Sequence, residues 1–138
     1  MNMIRRDSYT PFFDGIISDI ISIPIAEGRR LLMLSGVAAQ DPDGVPFQSN
    51  VIEGGIEAQV RHVWKRIEYI LGQHDASAGD IVKTVTYVTD ARYLVNPTAK
   101  VMREVFAGKP VPVSTGLVVS ALAYPEMLVE VDVIAVAG

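Results

Sequence analysis

Side chains suited to acid–base or metal chemistry are sparse in this chain. Its two histidines, His62 and His74, lie twelve positions apart with no carboxylate at ligand spacing beside them, whereas a metal site draws on several ligands. Neither is expected to hold a metal, and His62, beside Val63 on a helix, is expected to be solvated or packed. Cysteine is absent, which excludes disulfides, thiolate metal sites and a cysteine nucleophile. Neither a glycine-rich phosphate loop nor a G-x-S-x-G elbow occurs. The closing stretch Met127 to Ala137 carries two of the chain's acidic residues, Glu130 and Asp132. There Val129, Val131, Val133 and Ala135 alternate with Leu128, Glu130, Asp132 and Ile134. In a strand this spacing puts both carboxylates on one face, where they read as solvated charges.

The elements that must position them follow from periodicity. Ile17, Asp19, Ile21, Ile23 and Ile25 recur at period two and predict a strand, and Glu27-Gly28 turns into a partner strand over Leu31 to Ser35. Asp41-Pro-Asp-Gly44 is a loop whose Asp-Gly end favours positive φ. From about Ile56 to Gln73, Ile56, Val60, Val63, Ile67, Ile70 and Leu71 form one buried helix face, with Glu57 and Arg61 able to pair one turn apart. Trp64 and Tyr69 fall off that face and are expected at an edge or interface. Arg61, Lys65 and Arg66 read as a solvated face. Gly79 to Asp90 enters a β-branched strand from a tight turn. Asn96-Pro97 opens a second helix, with Asn at the N-cap and proline at the first helical position, and Gly108 stops it. Val113 to Ala121 is a further strand.

The predicted order is strand, strand, helix, strand, helix, strand, strand: one α+β domain over residues 1–138 with a mixed sheet and two helices on one face. The strand after Gly79 carries apolar residues on both faces, Ile81, Val85 and Tyr87 opposite Val82 and Val88. A face without helices needs cover, and a second subunit supplies it most simply. The net charge of −4 gives no reason to expect nucleic acid. No apolar run is long enough to cross a bilayer, and Arg5-Arg6 is followed by no apolar segment of signal type, so a cytoplasmic location is expected.

Several stretches occur together in a telling order. Leu34-Ser-Gly36, the loop ending at Gly44, Glu57-Ala-Gln59, Gly79 to Asp90 and Glu130-Val-Asp-Val-Ile-Ala135 make the chain resemble the RidA (YjgF) family, from about Arg30 to Ala137. The resemblance implies a chorismate-mutase-like fold and a homotrimer with sites in the clefts between subunits. It implies hydrolysis of reactive enamines or imines to ketones and ammonia, without metal or organic cofactor. Glu130 matches the family glutamate that orders the attacking water, and a carboxylate can both hold a water and accept a proton. Ser35, with Gly36, matches the segment lining the cleft. The family arginine that grips a substrate carboxylate is replaced by Ser114 in Pro112-Val-Ser-Thr115, with Thr115 beside it. Serine cannot supply a charge-assisted bidentate pair, worth about 1.5–3 kcal/mol. Arg29, Arg30 and Lys109 are the candidates for a substitute cation. The family asparagine on the second helix corresponds to Ala99, and the family aromatic residue falls on either Phe12 or Ser22. The leading expectation is an imine or enamine deaminase with altered substrate choice. The alternatives are a non-catalytic trimer that binds a small metabolite in the same cleft and, on fold alone, an isomerase.

Overall fold

The computed structural model describes residues 3–138; Met1 and Asn2, part of the N-terminal stretch considered above, lie outside it. Strands β1 (Arg5–Asp7), β2 (Ile20–Ala26), β3 (Arg29–Leu34), β4 (Val37–Ala38), β5 (Ile81–Val88), β6 (Val113–Val118) and β7 (Val129–Ala137) build one mixed sheet. Their order is β1-β2-β3-β7-β5-β6, and β4 follows β3 along the same side of β7. Among the described residues only β5 and β6 run parallel, which the intervening helical crossover permits. Helix α1 spans Ile56–Gly72; helix α2 spans Lys100–Val105 after a wide helical turn over Leu94–Ala99.

The two long central strands carry the core. Val129, Val131, Val133 and Ala135 of β7 are buried beneath Val60, Val63, Ile67 and Leu71 of α1, the alternation meeting the predicted helix face. Gln59, buried in the first turns of α1, ties this layer together: its amide donates to the Glu126 carbonyl at 2.9 Å and its oxygen accepts from the Leu128 amide at 2.9 Å. That clamp fixes the start of β7, and with it the face on which Glu130 stands.

Several expectations are corrected. Trp64 is buried, 1% exposed, with its ring edge-to-face against Phe106 at 5.5 Å; the core is wide enough to take in a residue beside the main stripe. The register of β5 against β7 shifts between Ile81 and Lys83, so Ile81, Thr84, Thr86 and Val88 point inward while Val85 and Tyr87 point out. Ile81 is thus parted from Val85 and Tyr87, yet the open face keeps its apolar residues. In β2 the buried positions are Ile20 and Ser22, and Ile21 and Ile23 lie on the open face. This strand starts at Ile20 because Asp19 is buried as an acceptor for the Tyr9 amide (2.6 Å) and the Thr10 hydroxyl (3.0 Å). β6 stops at Val118, and two short strands, β1 and β4, have no periodicity long enough to be read. In the loop after Asp41 the positive φ angles fall at Phe47 and Asn50, where Asn50 braces Val45 through both its amide and its oxygen.

Other expectations hold. Gly28 and Gly108 adopt φ of +70° and +72° at the turn and at the helix stop. Asn96 is extended and Pro97 begins the continuous helix. Glu57 and Arg61 pair at 3.4 Å, and Arg61 also reaches Glu104 at 2.8 Å, exposed contacts of small energetic weight. Arg66 is not simply solvated: it donates to the Thr10 hydroxyl at 2.9 Å and to the Tyr9 carbonyl. Among the described residues no helix is long and apolar enough to cross a membrane.

Candidate functional site

Glu130 and Asp132 lie on the sheet face that carries no helix, paired across from Tyr87 and Val85 of β5. The Tyr87 hydroxyl donates to Asp132 Oδ2 at 3.0 Å, which holds the Tyr87 hydroxyl proton above its ordinary range. Glu130 is half-buried, and burial first, then the Asp132 charge, pushes its carboxyl upward from the usual range. Among the described residues no hydrogen bond opposes that rise. The result is a carboxylate more basic than an exposed glutamate, with its lone pairs uncommitted.

Gly36 explains how the carboxylates fit. It lies in the short break between β3 and β4, where the chain steps along β7. A Cβ at this position would come within 2.4 Å of Glu130 Oε2 and 2.8 Å of Asp132 Oδ1. Only glycine lets both carboxylates lie over the backbone without moving. Gly36→Ala should therefore leave the fold intact, because the clash is with the ends of flexible side chains. It should displace Glu130 toward solvent and lower its pKa toward the ordinary carboxylate value. Carbon-detected NMR titration reads this directly, and an unchanged Glu130 titration would show that the close approach does not set its position.

The other sequence-derived residues fall in two places. Ser35 stands next to Gly36, but its hydroxyl donates to the Ser18 carbonyl at 2.6 Å and its amide to the Asp19 carbonyl at 3.0 Å. It pins the strand end, and only its lone pairs remain for a ligand. Ser114 is on the opposite side of the sheet. It pairs with Thr84 of β5, whose hydroxyl donates to Ser114 Oγ at 2.8 Å, and Thr84 is inward-facing. Thr115, next along β6, shares the open face with Val85 and accepts from Lys83 Nζ at 3.1 Å. Glu130 and Ser114 of one chain thus occupy opposite faces and cannot touch one ligand together.

On Ser114's side, a cavity of about 720 Å³ opens between β6 and the segment Leu94 to Ala107, a site that the sequence reading missed. Its walls are largely apolar, with Leu94, Met102 and Phe106 from the helical side and Pro112 just before β6. Ala99, Thr86 and Thr98 line it too. None of Arg29, Arg30 and Lys109 lines it; Arg30 donates to the His74 carbonyl at 2.8 Å and Lys109 to the Val105 carbonyl at 3.2 Å. The charged residue on its rim is Arg103, which is exposed. Phe12 is buried beside Gly36 in a small separate pocket, and Ser22 lines another near Arg30.

The histidines serve structure. His62 Nε2 bonds the Gln40 carbonyl at 2.8 Å. His74 is buried, with Nε2 at 3.0 Å from the Tyr9 hydroxyl and 3.2 Å from Asp7 Oδ2, a carboxylate that its sequence neighbours do not reveal. Burial lowers the His74 pKa, only partly offset by Asp7.

Comparison with known proteins agrees with this geometry. The family model described as Endoribonuclease L-PSP matches residues 24–137. No curated protein matches the sequence. Among solved structures, a protein of unknown function of the conserved Rid family, YyfA from Yersinia pestis, is 30% identical, with a TM-score of 0.73 over 88% of this chain and 87% of its own. Rv2704 from Mycobacterium tuberculosis, a member of the YjgF/YER057c/UK114 family, is 28% identical, with a TM-score of 0.75 over 96% and 98% of the two chains. Yeast Mmf1 shares the fold at 21% identity, with a TM-score of 0.79 over 99% and 100%. The mixed sheet with two helices is thus the chorismate-mutase-like fold, and the chain belongs to the RidA (YjgF) family.

Proposed function

We propose that this chain is a cytoplasmic homotrimer that hydrolyses reactive imines or enamines in clefts between subunits, with Glu130 as the general base. The observation that carries the reading is Glu130 itself: half-buried, raised in basicity by burial and by Asp132, and free of hydrogen bonds that would occupy it. Such a group can hold a water and take its proton as the water adds to the C=N carbon. The C–O bond forms as the C=N π bond opens onto nitrogen, giving a carbinolamine. Glu130 returns the proton it took to the nitrogen; then the carbinolamine hydroxyl loses its proton, a C=O bond forms as the C–N bond breaks, and the nitrogen leaves with that proton as ammonia, so imine and water become ketone and ammonia. Tyr87 holds Asp132 in place through a hydrogen bond, and the Asp132 charge adds to the upward push on the Glu130 carboxyl.

The opposite facing of Glu130 and Ser114 supports a shared cleft, because a ligand can meet both kinds of residue only if they come from different chains. The half-exposed apolar residues of the open face, among them Ile21, Met33, Val85 and Ile134, give a second subunit something to cover. Gly36, Ser35, Ser114 and Thr115 would border the cleft. The nuclease named by the family model fits this chain less well, since two carboxylates at the candidate base position would repel a phosphate backbone and the net charge is −4. A second reading, a trimer that binds a small metabolite without turning it over, is favoured by Ser114 standing where a carboxylate-gripping arginine would be.

Light scattering at micromolar concentration should give the mass of a trimer. Ammonia release from imines generated in situ should be detectable with at least one member of a panel of carboxylate-bearing and uncharged substrates. Ser114→Arg should raise turnover of the carboxylate-bearing ones. A stable monomer would remove the shared cleft, and binding without turnover across the panel would favour the second reading.

A further inference from the structure

The outer end of the sheet carries a basic recess, apart from both places described above. It measures about 320 Å³ and lies on the side of β1, β2 and β3 that faces the core, yet no residue of α1 lines it. Strand register builds it. Ser22 and Pro24 are successive inward positions of β2 and form the floor. Arg5 of β1 pairs across from Ser22, and Arg30 of β3 pairs across from Pro24, so two guanidinium groups flank the same floor. Arg29, next after the Gly28 turn, closes the hairpin end.

Three arginines thus line one small recess of a chain whose net charge is −4. Arg5 is paired with Asp7 at 3.0 Å, whereas Arg29 and Arg30 have no carboxylate partner among the described residues. Arg30 donates to the His74 carbonyl at 2.8 Å, which anchors its guanidinium and leaves further donors free. The Arg29 side chain lies against Gly138. In the floor, Ser22 is 3% exposed. Its hydroxyl makes no hydrogen bond among the described residues, and unlike those of Thr86 and Thr98 it is not sealed from water. Cations gathered in a cleft repel one another and concentrate anions there.

We infer that this recess binds the phosphate group of a small phosphomonoester, held by Arg5, Arg29 and Arg30 over Ser22. With Asp7 offsetting Arg5, roughly two positive charges are left, and a phosphomonoester at neutral pH brings about −1.5 to −2 with three acceptor oxygens for the guanidinium forks. A carboxylate brings half of that charge. The volume is at the small end of ligand pockets, and Met3 and Pro24 give a compact body an apolar surface to rest on. This ligand is not shared with Glu130 of the same chain. Arg30 pairs with Ala137, so it stands on the order of 20 Å along β7 from Glu130, and on the other face of the sheet. The inference stands or falls independently of the deaminase reading.

Phenyl phosphate, orthophosphate and benzoate are titrated into the isotope-labelled full chain at neutral pH and constant ionic strength, with the arginine Nε–H signals as readout. Phenyl phosphate should bind tightest and shift Arg5, Arg29 and Arg30 together. Arg29→Gln and Arg30→Gln should each weaken it about tenfold or more, the scale of a hydrogen bond to a charged group. Arg92→Gln makes the same charge change at an exposed residue paired with Asp90, outside the recess, and should alter affinity less than about twofold because salt screens it. Arg30 also holds the His74 carbonyl, so Arg29→Gln, which breaks no hydrogen bond among the described residues, carries the test if the Arg30 variant unfolds. An equal loss in Arg92→Gln would reduce the effect to net charge and overturn the inference. Orthophosphate binding as tightly as phenyl phosphate would overturn it as well, leaving a bare anion site, and benzoate binding as tightly would make the recess a carboxylate site. Shifts lying away from the three arginines, or no saturable binding of phenyl phosphate at millimolar concentration, would also overturn it.

Discussion

Glu130→Gln should lower imine turnover by about 10²–10⁴-fold, the usual loss when a positioned general base is removed. The amide keeps the size of the side chain and much of its hydrogen bonding but cannot accept the proton of the attacking water. The pH profile carries the same assignment. In the wild type, kcat/KM should fall as pH drops through the Glu130 pKa, which burial and Asp132 hold above the ordinary glutamate range. The amide should lose that acid limb along with most of the rate. Stability should move the other way. A carboxyl whose folded pKa lies above its unfolded value binds more protons when folded across the window between the two values. It therefore costs stability as pH rises through that window, and the cost persists above it. Glu130→Gln removes this term, so the melting temperature at neutral pH should hold or rise while activity collapses. That opposition marks a group retained for chemistry at the expense of the fold. Turnover surviving Glu130→Gln would show that the base lies elsewhere. If the wild type binds a ligand without turning it over, the same change should alter affinity by about 1 kcal/mol, the scale of one hydrogen bond.

What the sequence made legible tracks how local the signal was. The α1 face and the alternation of β7 follow from fixed periods of one element, so the core they share could be read in advance, and with it the side of β7 on which Glu130 and Asp132 stand. β5 was read as a strand, but the shift after Ile81 exchanged its faces; a bulge is a matter of pairing with β7 and leaves no mark in composition. The same limit hid the separation of Glu130 and Ser114, which depends on how β5 and β6 are registered rather than on either segment alone. Gly36 illustrates an intermediate case. It could be placed at the end of a strand, while the reason for glycine, two carboxylates from β7 against its backbone, exists only after the sheet forms. The cavity was harder still. Thr86 on β5 and Thr98 before α2 are ordinary residues in sequence, and only the crossover from β5 to β6 brings them to one cavity wall.

Trp64→Ala should destabilise the chain by about 3–5 kcal/mol, among the largest effects open to a single substitution here. Sequence periodicity puts Trp64 beside the apolar stripe of α1, but the side chain is 1% exposed and its ring meets Phe106 edge-to-face at 5.5 Å. Truncation removes that contact and leaves a cavity between α1 and α2 that backbone packing cannot fill. Trp64→Phe is the informative partner. The indole Nε1–H is buried without a hydrogen-bond acceptor, so replacing it with a phenyl ring removes an unsatisfied donor while keeping an aromatic face toward Phe106. The phenylalanine variant should lose much less than the alanine variant, by chemical denaturation at one fixed protein concentration, since assembly would otherwise shift the midpoint. A loss for Trp64→Ala no greater than the roughly 0.5 kcal/mol of a surface substitution would mean that the residue does not occupy the core.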